Sequence, residues 1–357
     1  MITLSLCMIV KNEEDVLARC LESVKDCVDE IVIADTGSQD NTKEIARRYH
    51  ASVYDFPWQD DFAAARNFAL SKTNGDYFLW LDADDYISPE NAEKLLALKD
   101  ALQTNAPDMV MCPYQTAFDE DGTPLCSFFR ERIMKRSAQF LWTGRVHECI
   151  APRGNIMRSD FCVFHLSGKK PRGARNLHIY QKWSAEERLS ERDLFYYGRE
   201  LYCNRLYDEA KTILKKMLQG DGWYVNKIEA CKILGFCYAE QGDTDKAKQA
   251  FLRSFAYGPP RAGICCELGK IFRAEQKLRE AVFWYETART CGDYGAEGDF
   301  DLPESRTYVP LIELTCCYYE LGERDKAIFC HKETERLFPS RPAVRFNRRF
   351  FEQAGLL

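Results

Sequence analysis

The sequence predicts an α/β unit with a largely parallel sheet over residues 1–185, followed by an all-α unit of paired helices over 186–357. Two observations predict it. Through the first 115 residues, apolar runs of strand length alternate with amphipathic segments, the pattern of a parallel sheet covered by helices. From about residue 186, four segments repeat one spacing of small, bulky and alanine positions, the mark of stacked helical hairpins.

The elements of the first unit read in order. Thr3–Val10 is an apolar strand. Glu13–Val24 is an amphipathic helix, with Val16, Leu17, Cys20, Leu21 and Val24 on one face. Glu30–Asp35 is a strand, Asn41–Tyr49 a helix and Ala51–Phe56 a short strand. Phe62–Ser71 is helical, Asp76–Asp82 is a strand after the turn Asn74-Gly75, Pro89–Leu102 is a helix and Met109–Tyr114 a strand. Ligands of such sheets sit at the carboxyl ends of the strands, which places Lys11-Asn12, Asp35 and Asp82–Asp85 on one rim. Residues 116–185 are less regular. Their β-like pieces, SFFRERIM and DFCVFHL, are expected as antiparallel edge strands closing over that rim.

The helical unit is read from YYGRELYCNRLYDEA, KILGFCYAEQGDTDKAKQAF, CELGKIFRAEQKLREAVFWY and LTCCYYELGERDKAIFCH. Each has a small residue (Gly198, Gly235, Gly269, Thr315), a bulky one three on (Leu201, Tyr238, Phe272, Tyr318) and an alanine nine further (Ala210, Ala247, Ala281, Ala327). Small residues let paired helices approach; bulky ones fill between stacked units. The spacing predicts about four units, with an insertion near 291–306. The terminal Phe346, Phe350 and Phe351 either cap the array or form a homodimer contact, with the cap favoured.

Bulk composition excludes several classes. The 357 residues are 46% hydrophobic and 29% charged, as in globular proteins, and the net charge of −6 disfavours nucleic-acid binding. No apolar stretch reaches the roughly 18 residues of a membrane span. The opening MITLSLCMIVKNEED lacks the early basic region of a secretion signal. The 16 cysteines show no CxxC spacing, and the five histidines do not cluster with them, so reduced, mostly buried thiols of a cytoplasmic protein are expected rather than a zinc site.

Chemistry is read from LWLDADDYISP. Three carboxylates close together repel by about 4 kcal/mol per unscreened pair at ~4 Å and an effective dielectric near 20. Water, a helix N-terminus or a divalent cation must compensate. Asp85 or Ser88 is a candidate cap for the helix at Pro89, and Asp40 for the helix after it in Asn41-Thr42.

MIVKNEED follows the first strand, DTGSQDNT the second, DDFAAARNFAL opens the third helix and DADD follows the fourth strand. In order and wording these motifs resemble the family 2 glycosyltransferases of the GT-A fold, Rossmann-like with a mostly parallel sheet. The repeats make the whole chain similar to the branch with C-terminal tetratricopeptide repeats, which includes peptide and protein glycosyltransferases. The resemblance implies a nucleotide-sugar donor and Mn²⁺ or Mg²⁺. It implies Asp84 as metal ligand, Asp82 at the ribose or assisting the metal, and Asp85 as a supporting group, an acceptor-side group or a helix cap. Asp35 matches the base-reading region, although Thr36 stands where many members have a second Asp. Arg66, of the family's Arg-Asn pair, either contacts donor or pairs with Asp60 or Asp61. WTGRVHECI and VFHLSGKK resemble two further landmarks, implying Glu148 as general base with His147 second, and His165 as metal ligand. Lys169, Lys170, Arg172 and Arg175 either close over the diphosphate or form a solvated linker.

The resemblance therefore implies an inverting, metal-dependent transferase moving a hexose or N-acetylhexosamine, uridine-linked, to a peptide or protein side chain held by the repeats. Two alternatives stand beside it. One is a cell-envelope saccharide or lipid-linked glycan as acceptor; the other is an inert nucleotide-binding scaffold.

Overall fold

The computed structural model of the chain describes residues 2–118, 124–166, 174–295, 298 and 300–357, with backbone alone at 117 and 125. It divides into two compact units, Met1–Glu187 and Arg188–Leu357.

The first unit holds β1 (Leu4–Val10), α1 (Leu17–Val24), β2 (Glu30–Asp35), α2 (Thr42–Arg48), β3 (Ser52–Asp55), α3 (Phe62–Leu70), β4 (Tyr77–Trp80), β5 (Asp85–Tyr86), α4 (Pro89–Asn105), β6 (Met109–Phe118), β7 (Pro124–Lys135), β8 (Ile156–Arg158), β9 (Val163–His165) and α5 (Arg175–Glu186). They form one sheet of order β3-β2-β1-β4-β7-β6-β9-β5, with β8 also on β6. The β1–β2, β2–β3 and β1–β4 pairings are parallel, which aligns their carboxyl ends. β7 runs antiparallel between β4 and β6. The sheet is thus an α/β sheet with a parallel half and a mixed half.

Burial on both faces explains the continuous apolar reading of β4. Tyr77, Leu79 and Leu81 join the core beneath α1 and α4. Phe78 and Trp80 join Ala63, Met134, Phe140 and Trp142 on the other side. The SFFRERIM segment departs from the edge strand expected of it. It lies inside the sheet, because Ile133 and Met134 are apolar on successive, opposite faces and both are buried. Asp40 caps α2 as expected: its Oδ1 accepts the Thr42 amide at 3.0 Å, while Asn41, next to the first helical residue, makes no side-chain cap bond. The helix at Pro89 is capped by Ser88, not Asp85. Cys7 and Cys112 of the sheet are buried; desolvation pushes the Cys7 thiol up to about 12, so it stays protonated. Among the described residues no helix is long and apolar enough to cross a membrane.

The second unit pairs α6 (Glu191–Cys203) with α7 (Tyr207–Met217), α8 (Tyr224–Glu240) with α9 (Thr244–Arg253), α10 (Ala262–Ala274) with α11 (Leu278–Thr290) and α12 (Tyr308–Glu320) with α13 (Arg324–Leu337), and ends in α14 (Pro342–Gln353). Each small residue faces a larger one on the partner helix. A Cβ at Gly198, Gly235 or Gly269 would meet Leu214, Phe251 or Tyr285 at 2.5, 2.3 and 2.8 Å. The offset is sixteen residues each time (198 to 214, 235 to 251, 269 to 285). The four repeat alanines are fully buried. A residue with positive φ recurs at each hairpin turn: Arg205, Gly242, Gln276 and Gly322.

The fourth hairpin carries Thr315 where the others have glycine, and the same offset brings His331 to the packing position. His331 is fully buried, and neither ring nitrogen has a hydrogen-bond partner. Its ring lies 5.2 Å from that of Phe351 in α14, which caps the array, while Phe346 stays 70% exposed. Burial holds the His331 pKa below its ordinary value; Glu335 opposes this, and Arg348 and Lys332 add to it. As pH falls through the imidazole's unfolded pKa, the unfolded chain takes up a proton that the folded chain refuses, so stability is lost on acidification. His331→Phe is therefore expected to reduce the fall in the unit's melting temperature between pH 7.5 and pH 5.5, measured by circular dichroism on the full chain. An unchanged pH dependence would place the acid sensitivity elsewhere.

Candidate active site

The carboxylate cluster is built by a turn and a two-residue strand pairing. After β4 the chain turns tightly, with the Asp85 amide donating to the Asp82 carbonyl at 3.0 Å. β5 then pairs antiparallel with β9, which sets Asp85 opposite His165. The Leu166 amide donates to the Asp84 carbonyl at 3.0 Å, and Arg19 on α1 donates to the carbonyls of Leu166 and Asp84. His165 Nδ1 lies 3.5 Å from Asp84 Oδ1 and 3.4 Å from Asp85 Oδ1. One ligand atom each from Asp84, Asp85 and His165 falls within a 4.8 Å span.

These residues differ in their freedom. Asp85 is fully buried. Its Oδ2 accepts from Arg132 Nη1 and from the Asp82 amide, both at 2.9 Å, and its Oδ1 accepts from Tyr114 Oη at 3.0 Å. Arg132 is itself buried, with its guanidinium carbon 3.9 Å from the Trp80 ring centroid and 4.3 Å from that of Tyr114. Asp85 thus underpins the cluster, while Asp84 and His165 are the partly exposed members. Burial raises the Asp84 pKa above its usual value, although His165 opposes it. The Asp85 contact, with Asp84 behind it, raises that of His165.

Arg66 organises the other half. It projects from α3, whose N-cap Asp61 accepts the Ala64 amide at 2.8 Å. Its Nη2 donates to Asp82 Oδ1 at 2.7 Å and its Nε to Glu148 Oε1 at 2.6 Å. Burial would raise the Asp82 pKa, but Arg66 and Arg132 outweigh it and hold the carboxyl below the usual range. The expected pairing of Arg66 with Asp60 or Asp61 is not formed: Asp60 binds Lys182, and Asp61 caps α3. A residue five positions into α3 points down at the end of β4 instead. The neighbouring Asn67 grips Trp142 from both sides, donating to its carbonyl at 3.0 Å and accepting its amide at 2.9 Å. This grip hangs the segment that carries Glu148 from α3.

Asp35 ends β2, fully buried. Its Oδ1 accepts the amides of Gly37 and Ser38, and Oδ2 has no hydrogen-bond partner. Thr36 Oγ1 donates to the Val10 carbonyl at 3.1 Å, which turns its side chain to the backbone. His147 has φ of +51° and stacks on Tyr180 of α5, 6.4 Å between centroids.

Residues 5–164 match the family model described as glycosyl transferase family 2. The N-terminal unit is a family 2 glycosyltransferase domain. Across the chain, SunS of Bacillus subtilis, named a prophage-derived glycosyltransferase, is 28% identical over 234 residues, which are 60% of this chain and 53% of SunS. A TPR repeat-containing protein of Synechococcus elongatus is 52% identical over 85 residues, 24% of this chain and 21% of that protein. The chain thus spans about a fifth to about half the length of these relatives. The crystal structure of TarS from S. aureus superposes with a TM-score of 0.42 at 15% identity, covering 70% of this chain and 54% of that one.

The structure brings Asp82, Asp84, His165, Arg66 and Glu148 to the same end of the domain as Asp35 and Thr36. Asp82, expected at the ribose or assisting a metal, pairs through Oδ1 with Arg66, and the Asp84–Asp85–His165 group forms beside it. Lys169, Lys170 and Arg172 lie outside the described residues; Arg175 opens α5, its guanidinium over Phe62. Sequence reasoning missed Arg19, Tyr114 and Arg132. The charged run Arg130-Glu131-Arg132 between apolar residues of β7 was the available signal. Removing half of a buried ion pair costs about 3–5 kcal/mol. Arg132→Met should therefore lower the domain's unfolding free energy by about that much in urea. Arg132→Met with Asp85→Leu should recover part of the loss, and a single variant as stable as wild type would show that Asp85 needs no counter-charge.

Proposed function

We propose that the chain transfers a hexose or N-acetylhexosamine from a uridine diphosphate donor, with inversion, to a peptide or protein side chain held by the helical unit. The observation that carries this reading is the residual charge of the cluster. Arg66 and Arg132 offset Asp82, Glu148 and Asp85. Among the described residues the Asp84 carboxylate has no arginine partner and stands with His165, within one 4.8 Å group of ligand atoms that suits a divalent cation.

Asp84 and His165 are the residues to hold it, with Asp85 beneath them. Bound there, the cation neutralises charge on the departing diphosphate. An imidazole beside carboxylates suits Mn²⁺ better than Mg²⁺, which demands oxygen ligands in a strict octahedron. The unpartnered Oδ2 of Asp35 is the acceptor for the N3–H of uracil, which reaches this buried oxygen only once the binding base opens access to it. Thr36, committed to the backbone, leaves that task to Asp35. Glu148 is the general base, and Arg66 ties it to Asp82, fixing the acceptor side against the donor side. The same contact favours a second reading of Glu148, as the residue that positions Arg66, because its Oε1 is already occupied by Arg66 Nε.

Donor hydrolysis without acceptor tests the class. Of UDP-, GDP- and dTDP-sugars, a UDP-sugar should release nucleotide with Mn²⁺, and Asp84→Asn should abolish the release. Absence of both release and nucleotide binding in the wild type would sink the transferase reading and leave an inert scaffold whose first unit no longer binds nucleotide. With an acceptor in hand, Glu148→Gln should lower kcat by about 10²–10⁴-fold while UDP affinity is retained. Lost UDP affinity with kcat preserved would assign Glu148 to positioning Arg66.

A further inference from the structure

Among the described residues of the first unit, Asn12, His50, Asp60, Ala106, Gln139 and His147 have positive φ without being glycine. His50, Ala106 and Gln139 close helical turns, where the left-handed conformation is common. Asn12 and Asp60 instead follow the carboxyl ends of β1 and β3, and His147 immediately precedes Glu148. Strain of this kind persists only where surrounding contacts over-determine it, and it gathers at functional sites.

The loop of His147 is closed at its base and held at its middle. Thr143 and Cys149 exchange both backbone hydrogen bonds, at 3.0 and 3.1 Å. Between them Val146 is buried, and its carbonyl accepts from Tyr180 Oη of α5 at 3.3 Å. The Arg145 carbonyl accepts the amide of Phe62, the first residue of α3, at 2.9 Å. The Arg145 side chain reaches the end of α5, where Nη1 donates to Glu186 Oε2 at 2.6 Å and Nη2 to Glu187 Oε1 at 2.9 Å. Its guanidinium carbon lies 5.4 Å from the Trp183 ring centroid, and Trp183 Nε1 donates to the same Glu187 oxygen. The second strained turn is tied to α5 as well, by Lys182 on Asp60 at 2.8 Å.

Arg66 on α3 and Glu148 on the loop therefore meet across two strained turns that one helix secures. Arg145 touches both sides, its main chain on α3 and its side chain on α5. Its ion pairs are partly exposed, and such pairs add little to stability. Two charge-assisted bonds from one planar guanidinium fix orientation instead.

We propose that Arg145 is a positioning residue of the transferase site: docked on Glu186 and Glu187, it holds the His147 turn in the left-handed conformation that delivers Glu148 to Arg66. This rests on the reading of Glu148 as a group of that site, whether as base or as the partner that places Arg66.

The test is a double-mutant cycle between Arg145→Met and Glu148→Gln, read as UDP-sugar hydrolysis with Mn²⁺ on the full chain. Arg145→Met should move the same constant that Glu148→Gln moves, kcat for a base or donor KM for a partner of Arg66, by at least about tenfold. In the Glu148→Gln background it should change that constant less than about twofold, because the group it positions is gone. Arg145→Lys, which keeps the charge and loses the fork, should fall between. No effect of Arg145→Met, an effect on the other constant, or an equal effect in both backgrounds would overturn the proposal. Glu186→Gln with Glu187→Gln should reproduce Arg145→Met and decides if that variant misfolds. Should the wild type release no nucleotide, or Glu148→Gln change nothing, the reading of the site fails and hydrogen exchange tests the positioning by itself. Arg145→Met, melting like wild type, should then speed exchange of the Phe62 and Cys149 amides at least about tenfold, and unchanged exchange would sink the idea.

Discussion

A fully buried carboxylate, Asp85, is the constraint on which the transferase domain's rim rests. Left alone, a buried carboxylate is far too costly to stay ionised. Here it is met by Arg132, by the Tyr114 hydroxyl and by the Asp82 amide. Arg132 in turn needs a home, and finds it against the rings of Trp80 and Tyr114. Those rings are part of the sheet, so the charge is anchored in the core. Asp84 and His165 can then stand at the surface on a base packed into the core. Arg66 repeats the arrangement one helix away, its guanidinium 4.8 Å from the Trp80 ring and its nitrogens on Asp82 and Glu148. One indole thus supports both cations.

Much of this was legible in the sequence, because the signals are local. Alternating apolar runs mark β1 to β4 and the helices between them, and the wording of the loops marks the rim. What stayed hidden depends on partners far along the chain. Arg132 lies 47 residues from Asp85, and nothing near it in sequence announces a carboxylate. SFFRERIM looked like an edge strand because charges interrupt it. The structure shows the charges serving the rim: Arg132 points at Asp85, and Arg130 stands over Trp80. Helix α5 went unread because its aromatic residues, Tyr180 and Trp183, follow a stretch of basic residues and glycine.

The helical unit shows the reverse balance. Its spacing was plain, since a glycine facing a large residue sixteen positions on is a strict steric pattern. The departures carry the individuality. Thr315 and His331 break the pattern at the hairpin next to the terminal cap. The long connection after α11 leaves the repeat grammar altogether and spends its side chains on the faces of α6, α8 and α10.

The pairing of β5 with β9 has a consequence for how such a domain can change over generations. Side chains alternate along a strand, so a slip of one residue would turn His165 away from Asp84 and Asp85. The strands are too short to resist a slip by their own hydrogen bonds, and Arg19 with the Leu166 amide fixes them in place. A residue gained or lost within β9 itself would therefore carry the imidazole off the two carboxylates. The strand's register is thus as much a part of the site as the side chains it presents.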